Sequence, residues 1–269
     1  MKEYQRMTYT TQNFPFEMLT NKKLISFDAD GTLTLSKAPM DSEMVEIFNR
    51  LLKSRYMINV VSGAKYQLFF GNIISLITKD PHTLKNLTLS PTCGARFFEY
   101  INDWQEVYKE ELSENDKGRI YEAFDYALKM VNHKHQKLYG ELIEDRGTQI
   151  TFSAAGSTAP LEVKSVYDPD FSKRLIIKKY LDEKIGDLDV KVAGSTSIDV
   201  TKKGINKAYA MRKLMERFNI TKEEILFIGD ALLEGGNDEP VSLMGIDSIE
   251  IKDVEETKSL IRKILELTS

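Results

Sequence analysis

Leu24-Ile25-Ser26-Phe27-Asp28-Ala29-Asp30-Gly31-Thr32-Leu33-Thr34 is the stretch on which the fold turns. Four mostly apolar residues stop abruptly at two carboxylates two positions apart and a glycine, the pattern of a buried strand running into a tight loop. Downstream, Asp41-Ser42 offers an N-cap, and Met44, Val45, Phe48, Leu51 and Leu52 follow at helical spacing. Residues 58–61 read as a second buried strand ending in Ser62-Gly63, and residues 66–77 read as a helix. This strand-helix-strand alternation predicts a parallel sheet covered on both faces. The same texture returns late in the chain. Residues 205–218 form a helix with Ala208, Met211, Leu214, Met215 and Phe218 on one face, residues 225–228 a strand ending in Gly229-Asp230, and Leu260, Ile261, Ile264, Leu265 and Leu267 mark a last helix.

The middle differs. Residues 95–108 mix aromatic and polar side chains as short antiparallel strands do, and Ser113 caps a helix running through Tyr121, Phe124, Leu128 and Val131. Residues 149–153 are strand-like, 172–181 helical, and 190–192 with 197–200 form a closing hairpin around Gly194. The expectation is an α/β core from residues 1–91 and 199–269, with an inserted α+β domain over 92–198. Residues 1–21, polar with scattered aromatics, yield no element. His133 and His135 lie two apart on a helix and read as solvated, Trp104 with Tyr100 and Tyr108 as packing of the inserted domain, and Lys178-Lys179 as a helix face.

Composition narrows the function. The 269 residues are 42% hydrophobic and 29% charged, the balance of a soluble globular protein. Lys and Arg number 37 against 41 Asp and Glu, a net charge of −4, which supplies no global field for nucleic acid or an anionic membrane. One cysteine, Cys93, leaves no internal disulfide framework and no Cys-rich zinc site. No apolar run approaches the ~18 residues that span a bilayer, and MKEYQRMTYT lacks the apolar centre of a signal peptide. A cytoplasmic protein is expected, with neither nucleic acid nor membrane as partner.

Asp28 and Asp30, Ser62, and Asp230 all stand at the carboxyl ends of core strands, where open parallel sheets bind ligands. Taken singly, an Asp-Gly at a strand end is loop punctuation. Together, Asp28, Asp30 and Asp230 make a self-repelling cluster that requires a cation, and oxygen ligands with no nearby His or Cys suit Mg²⁺.

DADGTLT resembles the first motif of the haloacid dehalogenase superfamily of phosphotransferases, VVSGA the second, INKAYA the lysine-bearing third and GDALLEGGND the acidic fourth. Order and spacing agree across nearly the whole chain, and the insertion between the second and third motifs resembles a type IIB cap. The resemblance implies a Rossmann-like parallel-sheet core with an α+β cap that sets substrate choice. It makes Asp28 the nucleophile, Asp30 the general acid and base, and Ser62 and Lys207 the holders of the phosphate. Mg²⁺ falls to Asp28, the Asp30 carbonyl and Asp230, while Asn237 and Asp238 orient Lys207 or the ion's waters.

Within that superfamily the long fourth motif resembles that of eukaryotic-type phosphomannomutases. EDRGTQITF resembles their phosphate-binding segment, matched by Arg146, and AGSTSIDV their sugar-contacting Ser-x-Asp, matched by Ser197 and Asp199. Where the mutase pattern has a second arginine this chain has Ser153, and His135 stands near the place of another. Arg96, Lys164, Lys173 and Arg174 are the cations that could substitute. The implied activity is a Mg²⁺-dependent phosphatase of small sugar or polyol phosphates, with a hexose-phosphate mutase as the alternative. A non-catalytic protein on this scaffold would be expected to lose Asp28 or Asp30, and both are present. The resemblance also implies a small phosphorylated metabolite as partner and a homodimer formed through the caps.

Overall fold

The computed structural model describes residues 8–36, 38–134 and 137–268, with Leu161 described by its backbone alone; the expectations for residues 1–7 and for His135 lie outside it. In chain order the elements are β1 (Thr8–Thr10), β2 (Leu24–Asp28), α1 (Ser42–Leu52), β3 (Met57–Val61), α2 (Tyr66–Phe69), α3 (Pro81–Leu84), β4 (Leu87–Ser90), β5 (Arg96–Tyr100) and β6 (Trp104–Lys109). Next come α4 (Glu114–Met130), β7 (Ile143–Asp145), β8 (Gln149–Ser153), α5 (Leu161–Tyr167), α6 (Ser172–Ile185), β9 (Leu188–Ala193) and β10 (Ser197–Lys202). The chain closes with α7 (Lys207–Phe218), β11 (Ile225–Gly229), α8 (Glu239–Leu243), β12 (Asp247–Glu250) and α9 (Val254–Thr268).

Residues 1–109 and 206–269 form one unit and residues 110–205 a second. The first holds an eight-stranded sheet in the order β1-β12-β11-β2-β3-β4-β5-β6, parallel from β1 to β4. Period-two alternation divides its core. Ile25, Phe27, Ile58, Val60, Leu226 and Ile228 pack with Met44, Phe48 and Leu51 of α1 and Ile261 and Ile264 of α9. Leu24, Val61, Ile225 and Phe227, of opposite parity, pack with Ala210, Met211 and Leu214 of α7. Ser26 and Asn59 share that second face. Ser26 Oγ donates to Asn59 Oδ1 at 3.0 Å, and Asn59 Nδ2 donates to Thr88 Oγ1 and Ser90 Oγ, both at 3.0 Å. This fully bonded polar row crosses β2, β3 and β4 and ties together the strand that ends at Asp28 and the strand that leads into Ser62.

The domain boundaries differ from the sequence expectation of 92 and 198. β5 and β6 are antiparallel, as expected, but they extend the core sheet from β4, so Tyr100, Trp104 and Tyr108 belong to the first unit. Edge strands with one packed face carry the same mixed pattern as an inserted domain, which is why sequence alone misplaces them. At the other edge β1 runs parallel to β12, giving a place to part of the unassigned leader. The helix expected over 66–77 is only α2, continued by one π-helical segment, Phe70–Ile74.

The second unit is a four-stranded antiparallel sheet, β7-β8-β10-β9. Ile150, Phe152, Ile198 and Val200 on one face pack with Ile120, Phe124 and Ala127 of α4 and Ile177 and Leu181 of α6. Ser113 caps α4 by accepting the Asp116 N–H at 3.1 Å. That helix stops at Met130, before Asn132 at φ 49°, so His133 is not helical. His133 is half-buried, its ring edge-on to Phe152 and Tyr167, rather than solvated.

Candidate active site

Asp28 has the parity of Leu24 and Ser26, so it leaves β2 on the face covered by α7, whose first residue is Lys207. The chain turns at once. The Ala29 carbonyl accepts the N–H groups of Leu33 at 2.9 Å and Thr34 at 3.0 Å, and the Gly31 N–H donates to the Thr34 carbonyl at 2.7 Å. Gly31 has φ +82°, and a Cβ there would stand 2.2 Å from Asp230 Oδ2. Glycine is required twice over, for its backbone angle and for the approach of Asp230. Asp28 ends β2, Asp230 directly follows the neighbouring parallel strand β11, and Ser62 follows β3 on the other side of β2.

Lys207 Nζ lies 2.6 Å from Asp28 Oδ1 and 2.5 Å from Asp238 Oδ1, and all three side chains are buried. Asn206 caps α7 by accepting the Tyr209 N–H at 3.0 Å, which fixes the turn that presents Lys207. The other oxygen of Asp238, Oδ2, accepts the Ala231 N–H at 3.1 Å, while the Asp238 N–H donates to the Ala231 carbonyl, also at 3.1 Å. The 230–238 loop is thereby closed on itself. Gly229 makes room for it, since a Cβ there would lie 2.4 Å from Asp238 Oδ2.

One carboxylate oxygen from each of Asp28, Asp230 and Asp238 falls within 4.8 Å of the others. Burial, with help from Asp238 and Asp230, pushes the Asp28 carboxyl up to about 8 against the pull of Lys207. Asp230, exposed at the rim, is raised by burial of its inner part and by Asp238. Burial opposes the Lys207 charge, yet Asp238 and Asp28 hold its pKa above the ordinary lysine value. Three carboxylates share one lysine, so the cluster is short of positive charge, and its donors are all oxygen. That is the donor set of a hard divalent cation. With both Asp238 oxygens already engaged, Asp28 and Asp230 are the carboxylates left for it.

Other expected residues fall nearby or elsewhere. Asp30 is half-buried in the turn after β2, and Asn237 is exposed beside Asp238. Ser62 is buried, its Oγ accepting the Ala64 N–H at 3.0 Å and its carbonyl the Cys93 N–H at 2.8 Å. Arg146, Ser197 and Asp199 belong to the second unit. There Arg146 Nε pairs with Glu144 at 2.8 Å, Thr151 Oγ1 donates to Asp199 Oδ1 at 2.8 Å, and the Ser197 and Ser153 hydroxyls lie 3.3 Å apart. Burial raises the Asp199 carboxyl, while Arg146 and Thr151 pull it down.

The substitute cations do not fare equally. Arg174 is fully buried, with Nε 2.7 Å from Asp168 and Nη1 donating to the carbonyls of Ala193 at 3.0 Å and Gly194 at 2.7 Å. It anchors the β9–β10 turn and has no charge to offer a ligand. Arg96 is paired with Glu106 in the first unit. The Asp168–Arg174 pair escaped sequence reading because Phe171 and Ser172 make the segment look like an exposed helix start; the spacing of an acid six residues before an arginine was its only trace.

A phosphomannomutase of Drosophila melanogaster is 25% identical over 252 residues, covering 91% of this chain and 96% of its own. Among solved structures, a Plasmodium falciparum IMP-nucleotidase superposes with a TM-score of 0.68 at 19% identity, over 93% of this chain and 72% of that one. An Aspergillus fumigatus trehalose-6-phosphate phosphatase gives 0.59 at 16% identity, over 98% and 100%. Residues 25–238 match the haloacid dehalogenase-like hydrolase family. A match running from the second residue of β2 to the aspartate that holds Lys207 makes the chain a member of the haloacid dehalogenase-like hydrolases, and so an enzyme, a phosphohydrolase or phosphotransferase.

Proposed function

We propose that this enzyme is a Mg²⁺-dependent phosphatase of small sugar or polyol monophosphates that works through an aspartyl-phosphate on Asp28. The observation that carries the reading is the buried Asp28 carboxylate at the open end of β2, fixed 2.6 Å from Lys207 and beside Asp230. Asp28 attacks the phosphorus in line as the ester P–O bond breaks. Asp30 gives its proton to the departing alkoxide, then takes one from the water that opens the aspartyl-phosphate and releases inorganic phosphate. Ser62 and Lys207 hold the equatorial phosphate oxygens, and Asp238 orients Lys207. Asp28, Asp230 and the Asp30 carbonyl would hold Mg²⁺, which supplies charge neutralisation between the nucleophile and its substrate. Asn237 belongs to the loop that sets Asp238. Arg146, Ser197 and Asp199 are assigned to substrate recognition.

The mutase alternative is favoured by the match to phosphomannomutase across 91% of this chain. The two reactions share every step through the aspartyl-phosphate and differ in whether water or a sugar hydroxyl accepts the phosphoryl group. The second unit also exposes Val166, Phe171, Leu175 and Ile176, an apolar surface that supports pairing of two copies through the caps. The cytoplasm, where phosphorylated metabolites are abundant, is the compartment that suits this activity.

A phosphate-release screen over phosphorylated metabolites with Mg²⁺, run beside a hexose-phosphate isomerisation assay, tests the proposal. Asp28→Asn is expected to abolish turnover while leaving the fold intact. Residual activity above about one percent of wild type refutes Asp28 as nucleophile. Isomerisation that depends on trace sugar bisphosphate, without phosphate release, establishes the mutase instead.

A further inference from the structure

Three successive residues of the first unit, Thr92, Cys93 and Gly94, take positive φ of 49°, 56° and 85°. Glycine accepts that region freely, but a threonine and a cysteine held there are strained. Such residues persist only where their surroundings over-determine them, and they collect where a site needs a fixed geometry. Thr92 and Gly94 are buried and Cys93 is half-buried. Below the turn, Ser90 Oγ accepts a hydrogen bond from Asn59 Nδ2 at 3.0 Å, and the Ser90 carbonyl accepts the Ser62 N–H at 3.3 Å. Beside it, the Thr92 N–H donates to the Ala64 carbonyl at 3.0 Å and the Cys93 N–H to the Ser62 carbonyl at 2.8 Å. One flank of the segment is therefore bonded, backbone to backbone, along the loop that carries Ser62.

The other flank meets α7. A Cβ on Gly94 would stand 2.5 Å from Ala210 Cβ, 2.8 Å from Ala210 Cα and 3.1 Å from the Ala210 nitrogen. The turn thus lies directly on the backbone of the helix whose first residue is Lys207. Ala210 follows Lys207 by one helical turn, so a shift at this contact carries Lys207 with it. From β6, the Tyr108 hydroxyl donates to the Gly94 carbonyl at 3.1 Å and presses the turn into place.

We infer that Thr92–Gly94 is a positioning turn that sets the separation of Ser62 from Lys207, and with it the grip of that pair on a phosphoryl group. The inference rests on the reading of Ser62 and Lys207 as phosphate-holding groups and adds the element that spaces them.

The test titrates orthovanadate, which adopts the five-coordinate geometry of phosphoryl transfer, into the full chain with Mg²⁺ and reads Kd by calorimetry. Gly94→Ala pushes α7 away and is expected to raise that Kd at least about tenfold, the usual consequence of a displaced binding group. Measured well below the variant's Tm, a mere loss of stability leaves Kd unchanged, because the folded fraction is still close to one. Adding Ala210→Gly to Gly94→Ala removes the 2.5 Å contact and should recover at least about threefold of the affinity. The same addition should lower Tm further, since glycine weakens a helix interior. Affinity and stability moving in opposite directions is the signature that a merely structural role would not produce. A double variant that binds no more tightly than Gly94→Ala overturns the inference. Ser62→Ala is the reference: if it weakens vanadate while folded Gly94→Ala stays within about twofold of wild type, the inference falls and the phosphate-holding reading stands. If wild type binds no vanadate, or Ser62→Ala binds it as tightly as wild type, that reading fails and takes the inference with it. Should Gly94→Ala fail to fold, Tyr108→Phe, which frees the Gly94 carbonyl without adding bulk, decides in its place. A Kd raised about threefold sustains the inference and an unchanged one overturns it.

Discussion

Replacing Gly31 by alanine isolates the close approach on which the site depends. The residue sits at φ +82°, where an L side chain costs about 1–2 kcal/mol. The new Cβ would also lie 2.2 Å from Asp230 Oδ2 and 2.8 Å from its Cγ, so the carboxylate must withdraw by roughly 1 Å to reach ordinary contact. Asp230 is exposed and can move, which confines the damage to the cluster. Stability should fall by that 1–2 kcal/mol, a Tm drop of roughly 2–8 °C. Turnover should fall about 100-fold, the usual consequence of a 1 Å misplacement at a reacting centre. Gly71→Ala is the control, because nothing lies within 4 Å of the Cβ it would add, and it should match wild type. The assay is phosphate release against Mg²⁺ concentration, with thermal unfolding alongside. Gly31→Ala retaining activity within about threefold, at unchanged Mg²⁺ dependence, refutes the claim that Asp230 must rest against this backbone.

Two further outcomes follow from the buried charges. Because the folded-state pKa of Asp28 is raised from 3.8 to about 8, the cation-free protein loses stability as pH climbs between those values, whereas Mg²⁺ requires the carboxylate. The Mg²⁺-induced gain in Tm should therefore be larger at pH 8 than at pH 6, and a gain independent of pH would count against a buried, proton-holding Asp28. Arg174→Met strands the Asp168 carboxylate, both side chains being fully buried, and should cost about 3–5 kcal/mol in urea unfolding of the second unit. Arg174→Met combined with Asp168→Leu should recover much of that loss; a single substitution costing under about 1 kcal/mol would show that the pair does not hold the β9–β10 turn.

The central strands were legible because burial on both faces leaves continuous apolar runs, and because Asp28, Ser62 and Asp230 interrupt those runs at their carboxyl ends. The partners of Asp28 were legible as motifs, but the geometry adds what motifs lack: Asp238 commits one oxygen to Lys207 and the other to Ala231, separating it from the carboxylates free to meet a cation. The domain boundary was misplaced by the residues from 92 to 109, where alternating polar and aromatic side chains describe a half-covered strand without saying which sheet it joins. The end of α4 was readable in hindsight from Asn132, a residue that tolerates the left-handed conformation that stops a helix. Arg174 was not, since nothing in its neighbours distinguishes a buried arginine from a solvated one until Asp168 and the carbonyls of Ala193 and Gly194 are placed around it.

The three-residue strand β1 has a consequence for handling the protein. By pairing along β12 it covers a row of backbone donors and acceptors belonging to a buried strand, Asp247–Glu250. Sheet rims of that kind recruit other chains when left bare. A truncation that removes Thr8–Thr10 would leave every site residue in place while baring that margin, and is expected to aggregate more readily than the full chain.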